Sequence, residues 1–460
     1  MNKKAVILGA GISGLATAYW LKKDGCEVTV IEKSSQAGGA MVSAWENEFL
    51  VDYGPNSGLE TTPLIRQLAE ETGIADEMIY ASSEGNKRYI LRDGRLCALP
   101  TGAGAFLTTK LFSPKAKLRL LKEPFVGKSN DGYYQSIAEF VRRRLGQEFL
   151  DYAINPFVAG VYAGNPDDLS VKSAFPKLYR LEEVYGGLIK GMFKGAKERK
   201  QSAETSKQSA RMFSFKNGMQ TFPNAIAAKL EENLILGAEV KNIERDGGAY
   251  TVKYKKNGVM ESVQADVVIS TIPAHAACYL FQEMDTVLFS HLKSIYYPPV
   301  MVLYLGYKEE SIRQPLDGFG YLIPQKENKS YLGAIWSSVI FPNRAPEGYA
   351  SFTIFIGGAR SPQLFDDMNK EDLIRQVLVE FQDVMKITGM PQFRVDKMWP
   401  RAIPQYNIGY IEHENYFEEF EKFHRGILLS GNYRGGISVG DCIKSSETVY
   451  KKALDLLQQV

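Results

Sequence analysis

Six residues near the start of the chain, Gly9-Ala10-Gly11-Ile12-Ser13-Gly14, restrict its fold more than any other stretch. They follow Ala5-Val6-Ile7-Leu8, an apolar run that reads as a buried parallel strand. Behind them comes Leu15-Ala16-Thr17-Ala18-Tyr19-Trp20-Leu21, with helical apolar spacing that ends at Asp24-Gly25. A second strand, Glu27-Val28-Thr29-Val30-Ile31, stops on Glu32. Strand, glycine turn, helix, strand and acid make up a dinucleotide-binding unit. Gly9 permits the tight turn, Gly11 lets backbone N–H groups approach a pyrophosphate, and Gly14 lets helix and strand pack closely. Ala10, Ile12 and Ser13 complete the turn, and the helix N-terminus faces the phosphates with its partial positive charge. Glu32 stands where a carboxylate accepts both ribose hydroxyls, and it would repel a 2′-phosphate. This fingerprint alone does not separate NAD from FAD.

The next residues separate them. Glu32-Lys33-Ser34-Ser35-Gln36-Ala37-Gly38-Gly39-Ala40 carries a glycine pair beyond the acid. It resembles the extended motif of flavoproteins in the amine oxidase and protoporphyrinogen oxidase superfamily, where the chain passes the pyrophosphate again. Ala40 stands where relatives often carry Arg or Lys. Ala265-Asp266-Val267-Val268-Ile269-Ser270-Thr271-Ile272-Pro273 resembles the strand that returns to the flavin domain in that superfamily, and Val240 the residue that meets the adenine end. Gly426-Ile427-Leu428-Leu429-Ser430-Gly431-Asn432 reads as a last buried strand. After it, Gly435-Gly436-Ile437-Ser438-Val439 opens a helix whose dipole would stabilise negative charge on a reduced flavin. FAD is the expected cofactor, held by pieces from the start, middle and end of the chain.

The resemblance narrows to the protoporphyrinogen oxidase family over nearly the whole length. Gly54-Pro55-Asn56-Ser57 matches an element that lies along the flavin in that family, with Gly58 where Phe is usual. Lys87-Arg88-Tyr89, Gly160-Val161-Tyr162-Ala163-Gly164, Ile403-Pro404-Gln405-Tyr406 and the closing Gly431-Asn432-Tyr433-Arg434-Gly435-Gly436 match further segments. The resemblance implies that Arg88 pairs with a propionate, that Phe319 and Leu322 touch the ring, and that Phe355 lies opposite Leu322. It implies that Gly160 lets backbone approach the ring. Taken without it, Arg88 reads as a surface arginine, and Leu322 and Phe355 as core strand residues. The implied reaction is oxidation of protoporphyrinogen IX to protoporphyrin IX in haem synthesis, six electrons in three flavin cycles, with O2 as acceptor. No catalytic side chain is named, because flavin N5 takes the hydride.

Other classes fit less well. With 55 basic and 53 acidic residues, a formal charge of +2, nothing draws the whole chain to nucleic acid. Four scattered cysteines suggest a reducing compartment, and four scattered histidines show no ligand spacing, so no metal is expected. No apolar run is long enough to span a bilayer. Residues 110–128 hold six Lys/Arg and one Glu interleaved with Leu111, Phe112, Leu118, Leu120 and Leu121, and residues 188–213 seven Lys/Arg and two Glu. Such stretches suit an anionic membrane surface as well as they suit a solvated helical face. The resemblance favours peripheral attachment to the inner face of the cell membrane from a cytoplasmic protein. It leaves open an oligomer and contact with the next enzyme of haem synthesis.

The expected architecture is α/β, with a Rossmann-like FAD domain in three pieces (1–59, 209–287 and 396–460). A mixed-sheet substrate domain is inserted at 60–95 and 288–395, and a helical membrane-binding domain at 96–208. In the helical part, Arg142-Arg143-Arg144 reads as a mostly solvated edge, and 201–206 as an exposed flexible loop. The competing readings are coproporphyrinogen III as substrate, an amine oxidase or desaturase of the same superfamily, and a non-catalytic tetrapyrrole- or lipid-binding protein.

Overall fold

Four of the five residues of β1 (Lys4–Leu8) are buried, because the strand has a parallel neighbour on each side, helices against one face and the antiparallel strands Ala238–Asp246, Ala249–Lys256 and Val259–Ala265 against the other. α1 (Ile12–Lys23) leaves its end through the glycine turn and returns to β2 (Glu27–Ile31). The computed structural model, which describes residues 3–82, 87–199 and 210–459, completes this sheet with distant strands. Its order is Leu234–Ile235, β2, β1, Val267–Ser270, Ile427–Leu429, all parallel. The C-terminal helix Val439–Gln458 packs on α1, and Ser446 Oγ donates to Ser13 O at 3.0 Å.

A second sheet has seven strands in the order Phe393–Trp399, Val300–Lys308, Tyr349–Gly357, Gly333–Ile335, Gly318–Leu322, Lys87–Arg92, Arg95–Ala98. Side chains alternate along a strand, so the sheet has two different faces. Leu91, Leu303, Tyr321, Ile354 and Ile356 pack beneath it on helix Lys370–Met385, through Leu373, Val377 and Phe381. The other face carries Arg88, Leu322 and Phe355. The buried Asp52, at the end of strand Phe49–Asp52 in a separate two-stranded sheet, pairs at 3.6 Å with Arg344 of the loop after helix Ser337–Ile340. Asp52 also accepts from Ser43 Oγ at 2.6 Å and Met219 N at 2.9 Å, while Arg344 donates to Ser214 Oγ at 2.8 Å.

Between residues 103 and 199 the structure is helical. One expectation fails there: Arg144 is fully buried rather than solvated. It pairs with two equally buried acids, donating to Glu123 at 2.6 Å and to Glu182 through Nε. The two carboxylates supply the counter-charge without which a guanidinium is not buried. Their sequence distances, 21 and 38 residues, hide the pairing. The stretch 201–206 lies outside the described residues. Among those residues no helix is long and apolar enough to cross a membrane.

Two histidines meet where helices Thr286–Ser294 and Ile411–Phe423 pack, and a third stands at the end of the second helix, although they show no pattern in the chain. His291 Nδ1 and His413 Nδ1 stand 2.8 Å apart, and His424 lies 4.0 Å from Asp285. Burial and then the neighbouring His291 lower the His413 pKa from 6.5 to about 4. A lowered histidine adds stability that is present above its unfolded value and is lost on acidification. Thermal stability should therefore fall as the pH drops from about 6.5 towards 4. His413→Asn, read by melting temperature against pH, should flatten that limb by the order of 1 kcal/mol for a partly exposed ring. Identical acid limbs in the two proteins would count against the assignment.

Candidate active site

The glycine turn is held by contacts that no side chain could share. A Cβ on Gly14 would stand 2.0 Å from Gly9 O and 2.7 Å from Thr271 Oγ1. Thr271, on the returning strand, donates to Leu8 O at 2.8 Å. Gly9 itself needs its freedom, with φ at +99°. The missing Cβ of Gly11 has nothing within 4 Å. Gly11 caps α1 without a side-chain hydrogen bond, and no acid occupies the first turn. The helix end of Ile12 and Ser13 is thus a bare positive pole beside open space.

The glycine pair lies on this turn. Gly38 N donates to Ala10 O at 2.8 Å, and a Cβ on Gly39 would come 3.2 Å from Gly11 Cα. Ala40 continues the layer, since its carbonyl would stand 1.8 Å from a Cβ on Gly54. That contact brings Gly54-Pro55-Asn56-Ser57 to the same cleft. Glu32 accepts from Ala10 N and Ser34 N, each at 2.8 Å, one bond per carboxylate oxygen. A carboxylate has about four acceptor sites, so two remain for ribose hydroxyls. Lys33 points elsewhere, to Glu239 at 3.1 Å. Val240 is half-buried just beyond Ala238, whose N–H donates to Glu32 O at 2.9 Å. At the far end, Gly431 follows the last strand with φ at +120°. Ile437 is half-buried, Ser438 caps the C-terminal helix by accepting from Asp441 N at 3.2 Å, and Val439 begins it. These residues fit FAD: a bare helix end for the pyrophosphate, a poised acid for the ribose, and glycine-lined room between them.

The substrate candidates meet on the other face of the seven-stranded sheet, where Ile90, Val302, Tyr304 and Thr353 are buried and Leu322 and Phe355 half-buried. Opposite residues run Arg88, Gly320, Ile335, Thr353, Tyr304 in one row, and Ile90, Leu322, Gly333, Phe355, Val302 in the next row of that face. Leu322 and Phe355 therefore flank Gly333, which has no side chain to fill the gap. A Cβ on Gly333 would stand 2.4 Å from Tyr321 O. Phe319 occupies the bulge between the Lys87 and Arg88 pairs, and Arg88 lies over its ring at 5.6 Å. Asp317, the nearby carboxylate, is taken by Lys87 at 2.5 Å and Tyr89 at 2.6 Å. Arg88 is exposed and makes no ion pair among the described residues. Gly160, in helix Asn155–Tyr162, meets this floor from above, but what approaches it is Leu322. Its missing Cβ would be 2.6 Å from Leu322 Cδ2.

A family model described as flavin containing amine oxidoreductase matches residues 12–449. The chain belongs to that family. Protoporphyrinogen oxidase 2 of Arabidopsis thaliana is 34% identical over 99% of this chain and 94% of its own. Coproporphyrinogen III oxidase of Bacillus subtilis is 29% identical over 99% of both. Among solved structures, one from Exiguobacterium sp. 255-15, provisionally named a protoporphyrinogen oxidase, superposes with a TM-score of 0.81 at 22% identity, covering 99% of each chain. Reduced UDP-galactopyranose mutase gives 0.75 at 18% identity over 99% and 94%. These two share the fold. The protein is an FAD-dependent oxidoreductase with the mixed α/β architecture of flavin amine oxidoreductases.

Several residues of this flavoenzyme's cleft gain a role only from the structure, Tyr406 among them although its segment matched the family. Gly320 and Gly333 flatten the floor, with φ at +135° and +156°. Thr353 bonds Asn56 at 3.1 Å and so joins the floor to the segment Gly54-Pro55-Asn56-Ser57. Tyr406 accepts from Gly436 N at 2.9 Å and donates to Asn432 O at 2.8 Å, bracing the loop that opens the C-terminal helix. Burial first, and then the neighbouring Tyr410 and Tyr162 hydroxyls, keep its hydroxyl well above the usual phenol range. Pairing across strands would have exposed Thr353, but one chain does not show its register.

Gly11→Ala and Gly14→Ala should separate binding from folding. The first places a methyl in open space, so the melting temperature should hold while FAD binding weakens about tenfold or more. The second drives a methyl into the Gly9 carbonyl and should lower both. Flavin content by absorbance, set against thermal melting, checks this; equal behaviour of the pair would remove Gly11 from the cofactor's path.

Proposed function

We propose that the enzyme oxidises protoporphyrinogen IX to protoporphyrin IX, taking six electrons in three flavin cycles with O2 as acceptor. The observation that carries this reading is the floor, a flat apolar strip with one unpaired arginine at its rim. A porphyrinogen is a broad apolar ring with carboxylates at its edge, and ligand sites of this kind are apolar with few charges. Leu322 and Phe355 would grip the ring across Gly333, and Phe319 would hold the Arg88 guanidinium where a propionate reaches it. FAD supplies the hydride acceptor when bound. The chain orients one methylene bridge towards it and screens the floor from water with helix Asn155–Tyr162. Cofactor roles for Gly9–Gly14, Glu32, Gly38–Ala40, Gly54–Ser57, Val240, Gly431 and Ile437–Val439 belong to the same proposal, as does the six-segment domain division. Coproporphyrinogen III, with four propionates, is the second reading, because a full-length relative bears that name.

We also infer that the helical part lies on an anionic membrane surface. Leu107, Leu118, Leu121, Phe125 and Phe193 are 65–88% exposed there, interleaved with Lys110, Lys115, Lys117 and Lys122. Exposed apolar side chains among lysines bind by burial plus charge.

Anaerobic mixing of the yellow protein with each porphyrinogen, followed at the flavin band, tests the substrate. The ring that bleaches it faster, with porphyrin fluorescence after air returns, names the reaction. Flavin bleached by neither ring ends the proposal. Arg88→Ala should raise KM about tenfold with FAD content unchanged. An unchanged KM takes Arg88 out of the site.

A further inference from the structure

Of the polar side chains in the floor rows, Arg88, Thr353 and Tyr304, it is Thr353 that is fully buried against Asn56. Its hydroxyl has two partners. Asn56 Nδ2 donates to Thr353 Oγ1 at 3.1 Å, and Ser337 Oγ lies 2.8 Å from the same atom. A hydroxyl has a single hydrogen and two acceptor lone pairs. Either hydroxyl of the Ser337–Thr353 pair can be the donor; with the Thr353 hydrogen given to Ser337, Thr353 offers Asn56 an acceptor only, and this is the arrangement that fixes the amide. The amide donor of Asn56 is thereby turned to the sheet. Its carbonyl oxygen is turned away, is not sealed inside the protein, and bonds no described residue.

Asn56 sits between the two halves of the cleft. Gly54, two residues earlier, packs on Ala40 beside the glycine turn. Asn56, Ser57, Ser337, Ile335 and Phe319 line one small cavity, and Phe319 carries Arg88. An acceptor fixed here meets whatever lies on the floor at the cofactor side.

We propose that Thr353 is a positioning residue: it holds the Asn56 amide so that its carbonyl accepts a hydrogen bond from a pyrrole N–H of the substrate. This rests on the porphyrinogen reading. Porphyrinogen nitrogens all carry hydrogen, so a neutral acceptor beside an apolar floor registers the ring without adding charge. The held nitrogen fixes which methylene bridge faces the cofactor, and the rigid partner in the sheet keeps the amide from rotating. A freely turning Asn56 would present its donor half the time and repel the same N–H.

Thr353→Val keeps shape and removes the hydroxyl, and Thr353→Ser restores the oxygen. Anaerobic flavin reduction by protoporphyrinogen IX and by coproporphyrinogen III is measured for both variants and the wild type, together with FAD content, melting temperature and flavin midpoint potential. The valine variant should bleach about tenfold more slowly at saturating ring with potential and FAD content unchanged, and the serine variant should recover most of the rate. Wild-type rates in Thr353→Val, or failure of Thr353→Ser to rescue a slow one, overturn the proposal. A shifted midpoint potential also overturns it, because the N–H donor is then the cofactor's own ring. If the valine variant does not retain FAD, Ser337→Ala is read instead. It deprives Thr353 of its acceptor and should slow bleaching about threefold; no slowing overturns the proposal. A wild type that neither ring bleaches removes the porphyrinogen reading and this inference together. A wild type that is bleached beside an unchanged valine variant removes this inference alone.

Discussion

The contact between the Gly14 α-carbon and the Gly9 carbonyl governs how everything else is arranged. It sets α1 against β1 closer than any side chain allows. The bare helix end then stands at the carboxyl edge of a parallel sheet, where open α/β folds bind their ligands. Thr271 reaches into the same contact and bonds Leu8 O, so the returning chain must close on β1 at this level. From there Ser270 and Ser430 pair across strands, which delivers Gly431 and the C-terminal helix to the other side of the cleft. One steric fact near residue 14 thus places segments more than 400 residues apart.

The floor would be useless without a fixed relation to that turn. Asp52 and Arg344 supply it, each 2% exposed, and Arg344 also holds the strand at Ser214 and Phe215. Burial opposes both charges: it raises the Asp52 pKa and lowers that of Arg344. A buried pair of this kind adds little net stability, yet losing one partner leaves the other unsolvated at a cost of about 3–5 kcal/mol. Its value here is geometric. Gly54 to Ser57 follow closely on Asp52, so the pair sets how this segment stands against Phe319 and Thr353.

Local rules explain what was legible in the sequence. The glycine turn, its helix and the strands at 4–8, 27–31, 267–270 and 427–429 announce themselves by short apolar runs and glycine spacing, because their geometry is decided within a few residues. The motif residues Arg88, Gly160, Phe319, Leu322 and Phe355 were nameable through resemblance, and they share one face or touch it. The illegible features depend on register and on distant partners. Thr353 gains meaning only when strand Tyr349–Gly357 is paired through Gly333–Ile335 to Arg88. The three arginines at 142–144 look solvated until Glu123 and Glu182 fold over the last of them. The histidine pair at 291 and 413 is a product of two helices meeting, which no spacing foretells.

The buried arginine also reaches the cleft indirectly. Arg144 ends helix Ile137–Arg144, and after Gly146 the chain runs as one winding path into helix Asn155–Tyr162, with a wider π turn at Leu150–Ile154. Such turns are rare and cluster at functional sites. Two anchors bracket it: Arg92, from the floor sheet, donates to Glu148 at 2.8 Å and lies over the Tyr152 ring at 4.2 Å. Asn155 accepts from Gln325 N at 2.9 Å and Arg360 Nη1 at 2.6 Å, both just beyond the floor strands. The helix that lowers Gly160 onto Leu322 is thus pinned at its start by charge and amide contacts. At its end Ala163, in the left-handed region, accepts from Ala359 N at 2.7 Å. The ceiling is fixed at both ends and glycine-thin at its middle. A side chain at position 160 would press Leu322 away from Phe355, so the width of the gap over Gly333 is set by the helical part as much as by the sheet.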